Sequence, residues 1–274
     1  MDDNGWVRYW RSPDLTVEAM HARFHGQAYG RHSHETYSFG VTEAGAQAFS
    51  CRGAGHVSAT GMVMLFNPDE PHDGRAAVES GFTYRIVHLQ PALVAELLAE
   101  LPGPHRGLPL FTEPVVDDPA LAASLRRLHR TLTGPTLRRD ENLMDVIAAL
   151  AHLCPAGTAD VAPSVVEPVV RAVRDLLHSE PAVDHTAAEL AQVAGVSRFA
   201  VYRAFHASTG VSPSEYQRQL RLRRARHLLA AGRPPSAVAS EVGFADQAHL
   251  HRWFTRHYGI TPGTFRRAGS VPTA

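Results

Sequence analysis

Between residues 7 and 90 the hydrophobic residues cluster in short runs, at 18–24, 37–42, 46–51, 62–66 and 84–88. Turn-forming stretches such as Arg52-Gly53-Ala54-Gly55 and Asn67-Pro68-Asp69 separate them. Short β-rich runs at roughly ten-residue spacing predict a small sandwich or barrel rather than an α/β fold. After Pro91 the period lengthens. Leu93, Leu97, Leu98 and Leu101 share one face of a predicted helix at 92–101. Two more follow at 119–131 and 138–153, with Leu121, Leu125, Leu128 and Leu132 on one and Leu143, Ile147 and Leu150 on the other. Thr133-Gly134-Pro135 parts them. These leucine faces suit either packing on the β-rich segment or pairing of two chains, and one helix could do each.

A polar, Pro/Gly-containing stretch at 155–163 reads as a linker, and Ser164 as the cap of the first helix beyond it. From there the pattern is helical and is written twice. Val201, Arg203, Phe205, Ser212-Pro213 and Tyr216 recur as Leu250, Arg252, Phe254, Thr261-Pro262 and Phe265, each 49 residues later. Such a repeat means two similar supersecondary units. Thr186 with Glu189 forms a capping-box pattern, and Gly195 ends a short helix at 187–194. Ser197 then caps a helix from Arg198 to Ser208, with Val201 and Phe205 on its buried side. The second copy turns at Gly243 and continues in a helix from about Asp246 to His257, with Leu250, Trp253 and Phe254 as its apolar face. Between the copies a basic helix runs from Ser212 to about Ala231, carrying Arg221, Arg223, Arg224 and Arg226.

Composition narrows the class. At 274 residues and 44% apolar, two modest cores are expected, and no apolar run is long enough to span a membrane. The start, MDDNGWVRYW, is unlike a secretory signal. Cys51 and Cys154 form no CxxC, so neither a disulfide framework nor a zinc knuckle is implied, and a reducing cytoplasm is expected. All 27 basic residues are arginine. From Ser164 onward stand 14 of them against 8 acidic residues, and before it 13 against 19. The halves therefore carry +6 and −6, and the basic C-terminal half suits a polyanion.

The paired units, GVS…F…TGVSP..Y and GF.DQ.HL.R.F…YGITP..FR, resemble the C-terminal domain of AraC/XylS-type transcription regulators over about 167–267. A purely structural repeat would have no use for exposed Arg, Gln and aromatic side chains on both recognition helices. The resemblance implies base contact by Phe199, Tyr202 and Arg203 in the first unit and by Gln247, His249, His251 and Arg252 in the second. Arg is the usual partner of guanine and Gln of adenine, which singles out Arg203, Arg252 and Gln247. Arg198, His206 and Arg256 complete the expected DNA-facing set, and Arg198, Arg256 and the arginines of 218–226 read as phosphate contacts or solvated charges.

The β-rich segment is similar to the cupin-type effector domain of such regulators, on Gly26-x5-His32-x-His34, Tyr37, Glu43-x-Gly45 and Gly61-x6-Pro68-x-Glu70-Pro71-His72. The expected fold class is therefore α+β: a cupin-like β-barrel or sandwich with following helices, then an all-α domain with two helix-turn-helix units. The expected division is 1–90 for effector binding, 91–154 for a helical segment, 155–163 for the linker and 164–270 for DNA binding.

His32, His34, Tyr37, Glu43 and His72 are the expected ligand-binding residues, for a small-molecule effector and without a cofactor. His32 and His34 are two apart and point to one face of a strand, so together with His72 they could instead hold a metal. The glutamate usual a few residues after the second histidine of metal-binding cupins is replaced by Ser38 or Phe39. Glu35 and Asp73 could complete a polar pocket. A three-histidine dioxygenase would use the same residues, yet such enzymes do not carry a double helix-turn-helix, and no GxSxG motif is present. The expectation is a regulator, not an enzyme, that binds promoter DNA and an effector as a homodimer and, by family resemblance, engages RNA polymerase. A regulator whose β-domain only dimerises is the alternative.

Overall fold

The computed structural model of the protein describes residues 5–26, 29–101, 108–134, 136–153 and 167–268. Cys154, the 155–163 linker and Ser164 lie outside them, as does the side chain of Phe199. The chain divides into two compact units, one built from the described residues through 153 and one from 167–267.

Nine strands are described in the N-terminal unit: β1 (Trp6–Arg11), β2 (Val17–Phe24), β3 (Tyr29–His32), β4 (Tyr37–Cys51), β5 (Ala54–Ala59), β6 (Val63–Phe66), β7 (His72–Ala76), β8 (Phe82–Leu89) and β9 (Val115–Val116). All pairings are antiparallel. One path runs β1-β2-β8-β4-β6-β9, while β5 and β7 pair with the far part of β4 and β3 pairs with β7.

The runs read separately at 37–42 and 46–51 are one strand, β4, that leaves one layer and enters the other. It does so through a register shift between Thr42 and Ala44 and then Gly45, whose φ is +72°. A Cβ on Gly45 would sit 2.1 Å from the Gly81 carbonyl oxygen, so only glycine lets the bent strand lie this close to its neighbour.

Alternation along the strands makes two cores. Val17, Ala19, Phe39, Val41, Leu65 and Val87 bury one face against the helices α1 (Pro91–Glu100), α2 (Pro119–Thr131) and α3 (Thr136–Leu153). Met20, Phe24, Met64, Phe66, Phe82 and Tyr84 point the other way, into the barrel. The leucine faces of α2 and α3 are spent within the chain: Leu121, Leu125, Leu128, Leu143, Ile147 and Leu150 are all buried in the sheet–helix core. Of the two uses those faces suited, packing on the β-domain is the one observed.

A polar cluster braces α2 on the sheet. Glu43 pairs with Arg85 at 3.1 Å and with Arg126 at 3.0 Å. Arg85 donates to His129 Nδ1 at 3.2 Å, and His129 Nε2 donates to the Met20 carbonyl at 3.2 Å. Burial, and then the Arg85 guanidinium, holds the imidazoles of His21 and His129 at about 4, against an ordinary 6.5. These folded-state values are depressed, so between pH 6.5 and 4 the unfolded chain binds more protons. The N-terminal unit is therefore expected to lose stability as pH falls through that window. Urea melts at a series of pH values check this, and a flat profile would contradict it.

In the C-terminal unit α4 (Glu167–Ser179) precedes the two repeats. The first comprises α5 (Ala187–Ala194) and α6 (Arg198–Thr209), the second α8 (Pro235–Glu241) and α9 (Gln247–Tyr258). Between them runs α7 (Pro213–Ala230), and α10 (Pro262–Arg267) follows. The caps are those written in the sequence. Thr186 and Glu189 form a reciprocal capping box, Ser197 accepts from the Ala200 N–H at 3.2 Å, and Gly195 ends α5 at φ +66°. Ser212 caps α7, and Asp246, expected as about the first residue of the second recognition helix, stands one position before α9 as its cap.

Candidate nucleic-acid interface and effector site

The two recognition helices are α6 and α9. Each is fixed in rotation by what it buries. Val201 and Phe205 of α6 enter a core with Val170, Val173, Leu190 and Tyr216. Leu250 and Phe254 of α9 are fully buried, with Phe265 5.6 Å from Phe254. That rotation leaves Arg198, Tyr202, Arg203 and His206 exposed on α6, and Gln247, His251, Arg252 and Arg256 exposed on α9. Tyr202 is 50% exposed and its ring stacks on His206 at 5.8 Å. His249 is half-buried, its ring edge-on to Phe244 at 5.3 Å, which fits a residue that supports the turn before α9.

The arginines of α7 are a correction. The sequence pattern suggested phosphate contacts or solvated charges, yet most face inward. Arg221 donates to the carbonyls of Pro181 and Gly243, each at 2.7 Å, and pairs with Asp184 at 2.7 Å. It thus ties the α4–α5 connection to the turn of the second repeat. Arg226 is buried beneath the rings of Tyr258 and Phe265, and Arg223 is buried as well. Arg218 lies 3.8 Å over the ring of Trp253, a cation–π contact that holds α9 to α7. Trp253, expected on the apolar face, is accordingly only half-buried. Only Arg224 of the four arginines named for this helix is exposed, beside Glu241 at 3.8 Å.

In the N-terminal unit three of the five expected ligand residues converge. β3 pairs with β7 so that His32 lies directly opposite His72, whereas His34, expected on the same strand face, lies two residues on, beyond the end of β3. Ring centroids are 4.5 Å apart for His32 and His72, 4.8 Å for His32 and His34, and 5.4 Å for His34 and His72. His32 and His72 are buried, His34 half-buried. His72 also stacks on Phe66 at 4.0 Å, inside the barrel. Burial lowers the pKa of both His32 and His72, so both rings are neutral at ordinary pH. Sequence reasoning missed His88, whose ring is 4.8 Å from His34 and whose Nδ1 is 2.8 Å from Ser38 Oγ. Strand parity was the available signal, since His88 shares the inward face of Phe82, Tyr84 and Ile86.

Tyr37 and Glu43 stand apart from this group. Tyr37 faces the helices, in the sheet–helix core, and its hydroxyl donates to the Pro109 carbonyl at 2.7 Å. Glu43 is the acid between Arg85 and Arg126. Asp73 accepts from the Ser50 N–H at 2.6 Å.

A ligand-type β-barrel unit and a helical unit with two similarly built recognition helices define a DNA-binding regulator. Residues 14–149 match the AraC-like ligand binding domain, and residues 190–268 match a helix-turn-helix domain. The HTH-type transcriptional regulator YbfI of Bacillus subtilis is 29% identical over 246 residues, 87% of each chain. The regulator RipA of Corynebacterium glutamicum is 44% identical over 95 residues, 35% of this chain and 29% of that one. Among solved structures, ToxT from Vibrio cholerae with an unsaturated fatty acid bound superimposes with a TM-score of 0.57 over 97% of this chain and 96% of that one, at 11% identity. That likeness is one of fold. The chain belongs to the AraC-type transcriptional regulators, with a ligand-binding type of N-terminal domain. No helix among the described residues is long and apolar enough to cross a membrane.

Proposed function

We propose that the protein reads promoter DNA with α6 and α9 and is controlled by a small molecule bound in the β-barrel. The observation that carries this is the match between the two recognition helices. Each buries an apolar pair at the same repeat positions and exposes arginine together with amide, imidazole or phenol groups. Helices of this kind enter successive major grooves about one turn apart. Arg203 and Arg252 are assigned to guanine edges and Gln247 to adenine, with Phe199, Tyr202 and His251 as further base contacts. Arg198, His206 and Arg256 are assigned to the backbone, where they position the protein without specifying sequence. His249, packed on Phe244, is assigned mainly to support.

His32, His34 and His72 are the proposed effector contacts, because they converge in the barrel, whereas Tyr37 and Glu43 serve the fold. The protein acts in the cytoplasm and without catalytic turnover, as a homodimer that engages RNA polymerase. Arg203→Ala is expected to cost about 1–3 kcal/mol of specific binding and to relax the preference at one base pair. Equal losses on a specific site and on random DNA, measured by titration at fixed salt, would exclude base reading by Arg203.

A further inference from the structure

We infer that His32, His34 and His72 form a site for one divalent first-row transition-metal ion. It refines the assignment of these three rings to the effector site, placing an ion between them and the effector, and it concerns the N-terminal unit alone, whether or not the DNA-reading assignments hold.

Each histidine offers a ring nitrogen, and these atoms lie within 4.8 Å of one another. Imidazole nitrogens bound at about 2.0–2.1 Å stand roughly 3.4 Å apart around a tetrahedral ion. Closing the set therefore takes movement of about an ångström, and the half-buried His34, beyond the end of β3, is the ring placed to make it.

Orientation is the second observation. His32 Nδ1 lies 2.7 Å from the Gly30 carbonyl, and His72 Nδ1 lies 2.9 Å from the Glu70 carbonyl. A carbonyl oxygen can only accept, so in each neutral ring Nδ1 carries the proton and Nε2 the lone pair. A backbone acceptor on the other ring nitrogen is how metal-bound histidines are held in tautomer and orientation. Here two such acceptors sit on the paired strands β3 and β7, or on the turn leading into them, in register across His32 and His72. Two of the three ligands are thus set before any ion arrives.

The donor set chooses the ion. Three neutral imidazoles, with no carboxylate in the group, suit Zn, Co, Ni, Fe or Cu and not Mg or Ca, which want oxygen. Three protein ligands leave at least one position open to water or to an anionic ligand, and His88 stands beside His34 at the edge of the group.

The test uses the untagged full-length chain, loaded with Co²⁺ and then dialysed. The expected result is one Co²⁺ per chain by elemental analysis, with visible ligand-field absorption that saturates at one equivalent. His34→Ala is expected to weaken binding by more than the roughly 10–100-fold that loss of an outer partner costs. His152→Ala, at an exposed position of α3, should bind as the unaltered chain does. Zn²⁺ should raise the melting temperature of the unaltered chain and leave that of His34→Ala unchanged. Failure of the unaltered chain to retain Co²⁺ or to show the absorption overturns the inference without recourse to any variant. Full retention by His34→Ala overturns it as well.

Discussion

Phe254→Ala is expected to destabilise the DNA-binding unit by about 3–5 kcal/mol. Phe254 is fully buried between Tyr258, at 4.7 Å, and Phe265, at 5.6 Å. Truncation removes a whole ring from a core that cannot refill the space. For a domain of about 100 residues, each kcal/mol lowers the melting temperature by about 4–8 °C, so a fall above about 12 °C is expected in thermal melts of the full chain. The consequence for function follows from helix geometry. Phe254 and Arg252 are two residues apart, so their directions differ by about 200° around the helix. Burying the ring is what turns the guanidinium outward. An unchanged melt would mean that α9 is rotated from this register, and Gln247, His251 and Arg252 would lose their place on the surface. Phe205 stands in the same relation to Arg203 on α6.

Gly45→Ala is the second large effect. The backbone there is left-handed, at φ +72°, which costs a non-glycine residue about 1–3 kcal/mol. The added carbon also meets the Gly81 carbonyl oxygen at 2.1 Å, and overpacking of this kind costs about 1–3 kcal/mol more. A loss of about 2–6 kcal/mol in the N-terminal unit is expected from the two together, read from urea melts. A loss under about 1 kcal/mol, well below that strain, would mean that β4 does not bend there and that the two layers of the barrel are joined differently.

These two residues mark what the sequence makes legible. The helical half is written in local signals. The Thr186–Glu189 box, Ser197, Ser212 and Gly195 fix helix ends through contacts a few residues away, and the 49-residue repeat fixes the faces. The arginines of α7 are different. Arg221 folds inward because the carbonyls of Pro181 and Gly243 arrive from distant parts of the chain, and no periodicity within α7 announces them. In the β-half the three histidines are legible by motif spacing, although His34 lies beyond the end of β3 and His72 opens β7. Tyr37 and Glu43 are not. Parity shows that they lie on one face, but which face meets the helices depends on a sheet assembled from strands far apart in sequence. For His88 parity gives the face it shares with Phe82, Tyr84 and Ile86, but only the pairing of β8 with β4 brings it beside His34.

If both recognition helices read sequence, selection of binding sites from a random DNA library with the full-length chain is expected to enrich a site with two short motifs about 10–10.5 base pairs apart, centre to centre. Arg203→Ala should blur one motif and Arg252→Ala the other. Enrichment of a single motif that both substitutions leave intact, or no enrichment over the starting library, would contradict reading by both helices.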